Sequence, residues 1–282
     1  MAIIAERLSQ AATKLASVTE TPKLDAELLM AHALGISRAV LLSRLQDPFP
    51  TNNSFETLVE RRLCYEPLAY ILGEWEFFSL NFFVEAPLLV PRPETEHVVE
   101  TVLTSIGNRR TSVLELGTGT GCIAVNIAYA AKNASVIATD IDPHALSIAQ
   151  RNAERHHVSG RITFRRGELF AALKPGEGPF DVLCSNPPYI EETAWPHLDP
   201  VIRLHEDPRA LLAGKDGLDV IRKLIAEAST WLAPGGLLAF EIGMGQYESV
   251  RALLQHHHYE HIRFVHDLAG IERVAVAEKS RL

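Results

Sequence analysis

An α/β domain on a mostly parallel sheet, with a small all-α domain in front of it, is the fold class this sequence predicts. Three observations carry that expectation. Strand-like and helix-like segments alternate from about Ser112 onward, the pattern of a parallel sheet covered on both faces. A glycine-rich turn, Gly117-Thr118-Gly119-Thr120-Gly121, joins the first of those strands to its helix. The first 75 residues carry helical periodicity and no strand, as a small helical bundle would.

Each element has its own signal. Leu24, Leu28 and Ala31 recur at helical spacing, with Gly35 as the C-cap. Ser37 to Leu45 forms a second amphipathic segment, stopped by Asp47-Pro48-Phe49-Pro50. Ser54 caps a third, which runs through Leu58, Val59 and Leu63 towards Pro67. Trp75 to Val84 is aromatic and β-prone with a turn at Ser79-Leu80-Asn81, which predicts a hairpin. Pro91 and Pro93 then hold the chain extended, and Glu94 or Thr95 opens the next helix. Strands are expected at Ser112–Leu116, Ser135–Thr139, Ile162–Phe164 and Asp181–Ser185. Helices are expected at Cys122–Ala131 and at Pro143–Arg155, the latter capped by Asp142. A helix from Leu218 to Leu232 ends at Pro234-Gly235-Gly236, a strand follows over Leu237–Ile242, and one helix and two short strands finish the chain. The expected boundaries are a helical domain over 1–74, a hairpin linker over 75–89 and the α/β domain over 90–282.

The bulk numbers bound the function. An apolar content of 47% and a charged content of 22% over 282 residues describe a globular chain with ample core material. Cys64, Cys122 and Cys184 are far apart and form no paired motif, which points to a reducing compartment. Charge appears at Glu6 and Arg7, too early for a secretory signal, and no apolar run has the length of a membrane span. The expectation is a soluble, cytoplasmic monomer with no membrane partner. The net charge of −8 divides into −2 over residues 1–75 and −6 over the rest. Neither part is an obvious phosphate-binding surface, which argues against direct nucleic-acid binding.

The glycine turn reads as a cofactor site. Glycines between a strand and a helix let the backbone turn sharply and approach a ligand near the positive helix end. The spacing G-x-G-x-G departs from the dinucleotide fingerprint. Glu115, just before the turn, suits a ligand bearing a cationic amino group better than a pyrophosphate. Asp140 ends the next strand, 23 positions after Gly117, where a carboxylate can accept both hydroxyls of a ribose. The candidate cofactor residues are therefore Glu115, Gly117, Thr118, Gly119, Thr120, Gly121 and Asp140.

Asn186-Pro187-Pro188-Tyr189 follows the strand Asp181–Ser185, and ligands in such sheets lie beyond the carboxyl ends of strands. The Asn186 side-chain oxygen is an acceptor, and the Pro187 carbonyl is a second. Together they can hold both protons of a planar nitrogen and turn its lone pair towards a methyl donor. Tyr189 can cover the flat face of the group. Asn186, Pro187 and Tyr189 are the candidate catalytic residues; Asn186, Pro187, Pro188 and Tyr189 are the candidate substrate-binding set. Asn186 also adjoins the cofactor. The chemistry implied is methyl transfer from S-adenosylmethionine, leaving S-adenosylhomocysteine.

With these motifs in hand the chain resembles the protein-(glutamine-N5) methyltransferases over essentially its whole length. The resemblance rests on Pro67-Leu68-Ala69-Tyr70-Ile71-Leu72-Gly73, on Val90-Pro91-Arg92-Pro93-Glu94-Thr95-Glu96, on Glu115 to Gly121 and on Asn186 to Tyr189. Asp207-Pro208, Ala210-Leu211 and Asp216-Gly217-Leu218 extend it. The first of these is a small departure, since members often have Glu-Pro there. The resemblance implies a Rossmann-like methyltransferase domain with a mostly parallel seven-stranded sheet and a helical substrate-recognition domain. It implies that the glutamine of the Gly-Gly-Gln loop of class 1 peptide chain release factors is the acceptor. It also implies that the region around Leu169 flanks the adenine. The alternatives are a glutamine of a ribosomal protein, or an amino group of a DNA or RNA base flipped into the same pocket.

Other residues carry less. His256-His257-His258, with His261, lacks a carboxylate or cysteine to complete a ligand set, so no metal is expected. Cys184 lies in an apolar strand and reads as an inert buried thiol. Arg61-Arg62 reads as a solvated helix face, with contact to the protein substrate as the alternative. Arg92 and Glu94 either close over the methyl donor or brace the interdomain seam.

Overall fold

The computed structural model describes residues 2–50 and 53–281, which fall into two compact units. The first runs to Glu74 and takes in Leu198–Glu206; the second comprises Trp75–His197 and Asp207–Leu282.

The first unit is helical. Helices α1 (Ile4–Leu15), α2 (Pro22–Leu34), α3 (Arg38–Ser43), α4 (Phe55–Leu63) and α5 (Leu68–Leu72) bury Leu8, Leu15, Leu29, Met30, Phe55 and Val59. The caps follow the sequence: Gly35 is left-handed at the end of α2, and the Ser37 hydroxyl accepts the Val40 N–H at the start of α3. Ser54 stands at the N-cap of α4 but makes no side-chain cap bond. The expectation of a solvated Arg61-Arg62 face is corrected at Arg62. Successive helical residues point about 100° apart, so one of the pair turns inward. Arg62 is buried, its Nε 2.8 Å from Asp25 Oδ2 on α2. Arg61 is half-buried and pairs with Glu66.

A hairpin opens the second unit, β1 (Glu74–Phe77, its first residue counted with the first unit) and β2 (Leu80–Phe83), whose turn falls at Phe78-Ser79. Phe77 and Phe82 are buried in the core of the main sheet. A 3-10 turn over Pro93–Thr95 leads into α6 (Glu96–Ile106). The chain then alternates: β3 (Thr111–Leu116), α7 (Cys122–Ala130), β4 (Ala134–Asp140), α8 (Pro143–Arg155), β5 (Ile162–Arg166) and β6 (Phe180–Ser185). The short α9 (Pro200–His205) belongs to the first unit. The chain closes with α10 (Asp219–Trp231), β7 (Leu232–Glu241), α11 (Tyr247–His256), β8 (Tyr259–His266) and β9 (Glu272–Lys279).

The main sheet has seven strands in the order β5-β4-β3-β6-β7-β9-β8, parallel from β5 to β7, with β9 antiparallel to both of its neighbours. Side chains on a strand alternate between faces. Accordingly Val113 packs with Val98, Val102 and Ile123 on one side, while Leu114 and Leu116 pack with Ile221, Leu224 and Leu254 on the other. Burying each such side chain stabilises the fold by about 1.5–3 kcal/mol.

The boundary expected at Pro234-Gly235-Gly236 differs. The helix does end at Trp231, but β7 starts at once and carries those residues inside it. Phe180 pairs with Leu232 and Val182 with Leu237, so Pro234-Gly235-Gly236 lies in a bulge, with Gly235 at φ +74°. The last two strands are also longer than expected, at eight residues each.

Removing Asp25 would strand a buried guanidinium. Asp25→Ala is expected to lower stability by about 3–5 kcal/mol. The double variant D25L/R62M, which removes both charges, should recover most of that loss in guanidinium denaturation followed by circular dichroism.

Candidate functional site

Sheet register assembles the site. In the pairing of β3 with β6, Leu116 stands opposite Ser185, and the Ser185 hydroxyl donates to the Leu116 carbonyl at 2.7 Å. The glycine turn starts one residue after Leu116 and the Asn-Pro-Pro-Tyr segment one residue after Ser185. Two motifs 69 residues apart therefore leave neighbouring strands at the same end of the sheet. The strand order reverses direction here, from β4 on one side of β3 to β6 on the other, which is where open α/β sheets form their ligand crevice.

The turn is held from several sides. The Thr118 N–H donates to the Thr139 carbonyl, and the Gly121 N–H to the Thr118 carbonyl, both at 2.8 Å. Gly121 has φ +82°, and a Cβ there would lie 2.9 Å from the Ala149 Cβ of α8. Only glycine allows α7 and α8 to approach this closely. Asn152 on α8 donates to the Thr120 carbonyl at 2.8 Å, and exchanges bonds of 2.7 and 3.1 Å with the Phe83 N–H and carbonyl of the hairpin.

Two carboxylates face the turn. Asp140, at the end of β4, accepts the Gly119 N–H (2.8 Å) on one oxygen and the Asp142 N–H (2.9 Å) on the other. Each oxygen keeps a lone pair for a further donor. Burial raises the Asp140 pKa, and the backbone N–H groups partly offset this. Glu115 is buried; its Oε2 accepts the Thr118 hydroxyl at 2.6 Å, while its Oε1 is buried with no hydrogen-bond partner. Desolvation pushes its pKa up to about 8, against the pull of the Thr118 bond. An unsatisfied buried carboxylate oxygen is costly, and a cationic donor would complete it. Leu169 lies just beyond β5, where the Gly167 N–H binds the Asp140 carbonyl at 2.9 Å. It opens a short 3-10 turn at φ +46°.

Beyond β6, Asn186, Pro187 and Tyr189 line a cavity of about 30 Å3 with Leu89, Arg92 and Leu211; Pro188 lies beside it in sequence. The Asn186 Nδ2 is 3.0 Å from the Thr95 Oγ1, which donates to Glu241 Oε2 at 2.6 Å. Tyr189 donates its hydroxyl to Glu241 Oε1 at 2.9 Å, and its carbonyl accepts the Gln246 side chain at 2.9 Å. Burial, then the neighbouring Glu241, raises the Tyr189 pKa, which keeps the phenol a donor. Burial pushes Glu241 up to about 7, with the Thr95 and Tyr189 bonds opposing.

Thr95 and Glu241 are the residues that sequence reading missed as parts of the site. Thr95 lies in the Pro-Arg-Pro-Glu-Thr-Glu segment, where its residue type signals no more than a helix opener. Glu241 left one signal, a carboxylate interrupting the apolar strand Leu237–Ile242. Cys184 is fully buried with its pKa raised by desolvation. His256 ends α11 and is exposed, and among the described residues no cluster of histidine, cysteine and carboxylate side chains fits a metal ion.

Comparison with known proteins decides the family. The model described as PrmC N-terminal domain matches residues 6–73, and the model described as methyltransferase small domain matches residues 95–203. A release factor glutamine methyltransferase of Coxiella burnetii is 38% identical over 282 residues, covering 99% of this chain and 100% of that protein. The chain belongs to the release factor glutamine methyltransferases. A further relative of that name, from Rhodopirellula baltica, is 39% identical over 93% of this chain and 91% of its own length. The fold is also that of a methyltransferase from Pyrococcus furiosus, with a TM-score of 0.55 at 22% identity over 72% of this chain and 91% of that one. As a member of this family the chain is an enzyme with a methyltransferase domain. Among the described residues no helix is long and apolar enough to cross a membrane.

The two raised carboxyls set a pH dependence. Each loses its proton near its ordinary value of 4.5 when unfolded, but only near about 8 (Glu115) or 7 (Glu241) when folded. Between those values the native state holds more protons, so stability falls as pH rises. The melting temperature of the cofactor-free protein should drop from about pH 5 to about pH 8. Glu115→Gln should flatten that profile, which thermal scans across pH would read directly.

Proposed function

We propose that this enzyme transfers the methyl group of S-adenosylmethionine to the side-chain amide nitrogen of the glutamine in the Gly-Gly-Gln loop of class 1 peptide chain release factors. One observation supports the reading above the others: by the β3–β6 register the glycine turn and the Asn186-Pro187-Pro188-Tyr189 segment leave neighbouring strands at the same end of the sheet. The names of the relatives, at 38–39% identity over nearly their whole length, supply the acceptor.

The residues present fit the donor. The partnerless Oε1 of Glu115 matches a cationic amino group, the Asp140 carboxylate matches the two ribose hydroxyls, and Gly117 to Gly121 let the backbone approach. Leu169, beyond β5, would flank the adenine. When bound, S-adenosylmethionine supplies an electrophilic methyl group on a sulfonium. The chain's own part is positioning. Asn186 Oδ1 and the Pro187 carbonyl accept the two amide protons, which fixes the plane of the NH2 group and presents the face of the nitrogen, where its lone pair lies, to the donor side. Pro187 and Pro188 are rigid, so this geometry is set before the substrate arrives. Tyr189 covers the amide plane. No strong base is needed beforehand, since the amide proton becomes acidic once the nitrogen carries the new bond.

The helical unit serves as the acceptor-recognition domain in this reading, and the reaction takes place in the cytoplasm on a protein of translation. The enzyme acts as a monomer that holds the protein acceptor and makes no direct contact with nucleic acid.

Purified enzyme with a labelled methyl donor should label a release factor, and should leave a ribosomal protein or DNA at background. Label in DNA alone would sink the reading. Asn186→Ala should cut turnover by at least about 100-fold while the donor dissociation constant by calorimetry stays within a few-fold. Asp140→Ala should show the converse, with donor affinity weakened about 10- to 100-fold.

A further inference from the structure

The Asn186 amide has two faces, and only one of them is useful. If Oδ1 points at the acceptor, it can take an amide proton; if Nδ2 does, two donors meet and the acceptor is rejected. We propose that Thr95 and Glu241 are positioning residues that select the useful face: Glu241 fixes the hydroxyl proton of Thr95, and Thr95 in turn fixes the Asn186 amide. The inference rests on the methyl-transfer reading and adds to it what holds the acceptor-binding group in place.

The direction of each bond follows from the atoms. Glu241 is buried at the end of β7, and above its raised pKa of about 7 it is ionised and offers acceptors only, so the relay is set in that form. Thr95 Oγ1 lies 2.6 Å from Glu241 Oε2, so the single hydroxyl proton is used there. Towards Asn186, 3.0 Å away, the same oxygen can then only accept. The Asn186 atom facing it must be Nδ2, and Oδ1 is left for the cavity. A flipped amide would set two acceptors against each other in a buried place, which disfavours it by a factor of about 10–100. The second oxygen of Glu241 takes the Tyr189 hydroxyl at 2.9 Å. One carboxylate thus orients both polar side chains of the Asn-Pro-Pro-Tyr segment, from β7 and from the turn before α6.

Thr95→Val keeps the volume and removes the hydroxyl; Thr95→Ser keeps the hydroxyl. We expect T95V to lower kcat about 10- to 100-fold with the donor dissociation constant within about 2-fold of wild type. T95S should restore kcat to within about 3-fold. A readout free of the acceptor is the side-chain amide signal of Asn186 in nitrogen-15 NMR, assigned by its loss in N186D. The wild-type and T95S proteins should show a distinct, slowly exchanging pair of protons, and T95V a pair shifted to free-amide values. Thr95→Ala, measured in the same way, replaces T95V if the valine is not accommodated. Wild-type kcat in T95V, or an unchanged amide signal, overturns the relay. Failure of the wild-type enzyme to label any glutamine overturns the methyl-transfer reading instead, while the amide signal still decides the relay.

Discussion

The parallel pairing of Leu116 with Ser185 is the contact on which the site depends. It fixes where two loops, far apart in the chain, leave the sheet. Strand register moves in whole residues, and a slip by one would turn every side chain of β6 to the other face. The buried sets Leu114, Leu116 and Leu183 on one side and Val113, Val182 and Cys184 on the other forbid that slip. The hydroxyl of Ser185 adds a short bond across the last pair. Core packing and site geometry are therefore one constraint: the apolar alternation that stabilises the sheet also sets where the glycine turn and the Asn186–Tyr189 segment leave it.

Around that pairing, polar groups are buried in a graded way. Asp140 is satisfied by backbone donors yet has lone pairs to spare, whereas Glu115 has an oxygen with no partner. Glu241 is satisfied on both oxygens by side chains of its own unit. The first two have bonding capacity left for a ligand; the third spends its capacity on the protein. That contrast separates carboxylates with bonding capacity to spare from one already spent within the fold.

Much of this was legible in the sequence, because the signals were local. Glycine spacing, a proline pair after a strand and an aspartate ending the next strand each depend on a few neighbouring residues. The alternation of strands and helices and the cap at Asp142 were legible for the same reason. What escaped depended on distance. Nothing near Arg62 in sequence announces that Asp25 awaits it on another helix, and charge alone suggested solvent. Thr95, Asn186 and Glu241 come from three separate stretches and meet only after the sheet forms. Pro234-Gly235-Gly236 looks like a break because prolines and glycines usually interrupt ladders; here a bulge absorbs them within one strand.

The hairpin before the sheet bears on how the protein could be taken apart. Sequence texture makes residues 75–89 look like a spacer that a designer could trim or exchange. Yet Phe77 and Phe82 sit inside the sheet's core, and Phe83 shares Asn152 with the carbonyl of Thr120. A truncation placed after residue 89 would remove two aromatic rings from the catalytic unit and loosen one anchor of its glycine turn. A cut next to Glu74 would spare both, so the fragment that keeps its hairpin is the one worth grafting onto a different partner domain.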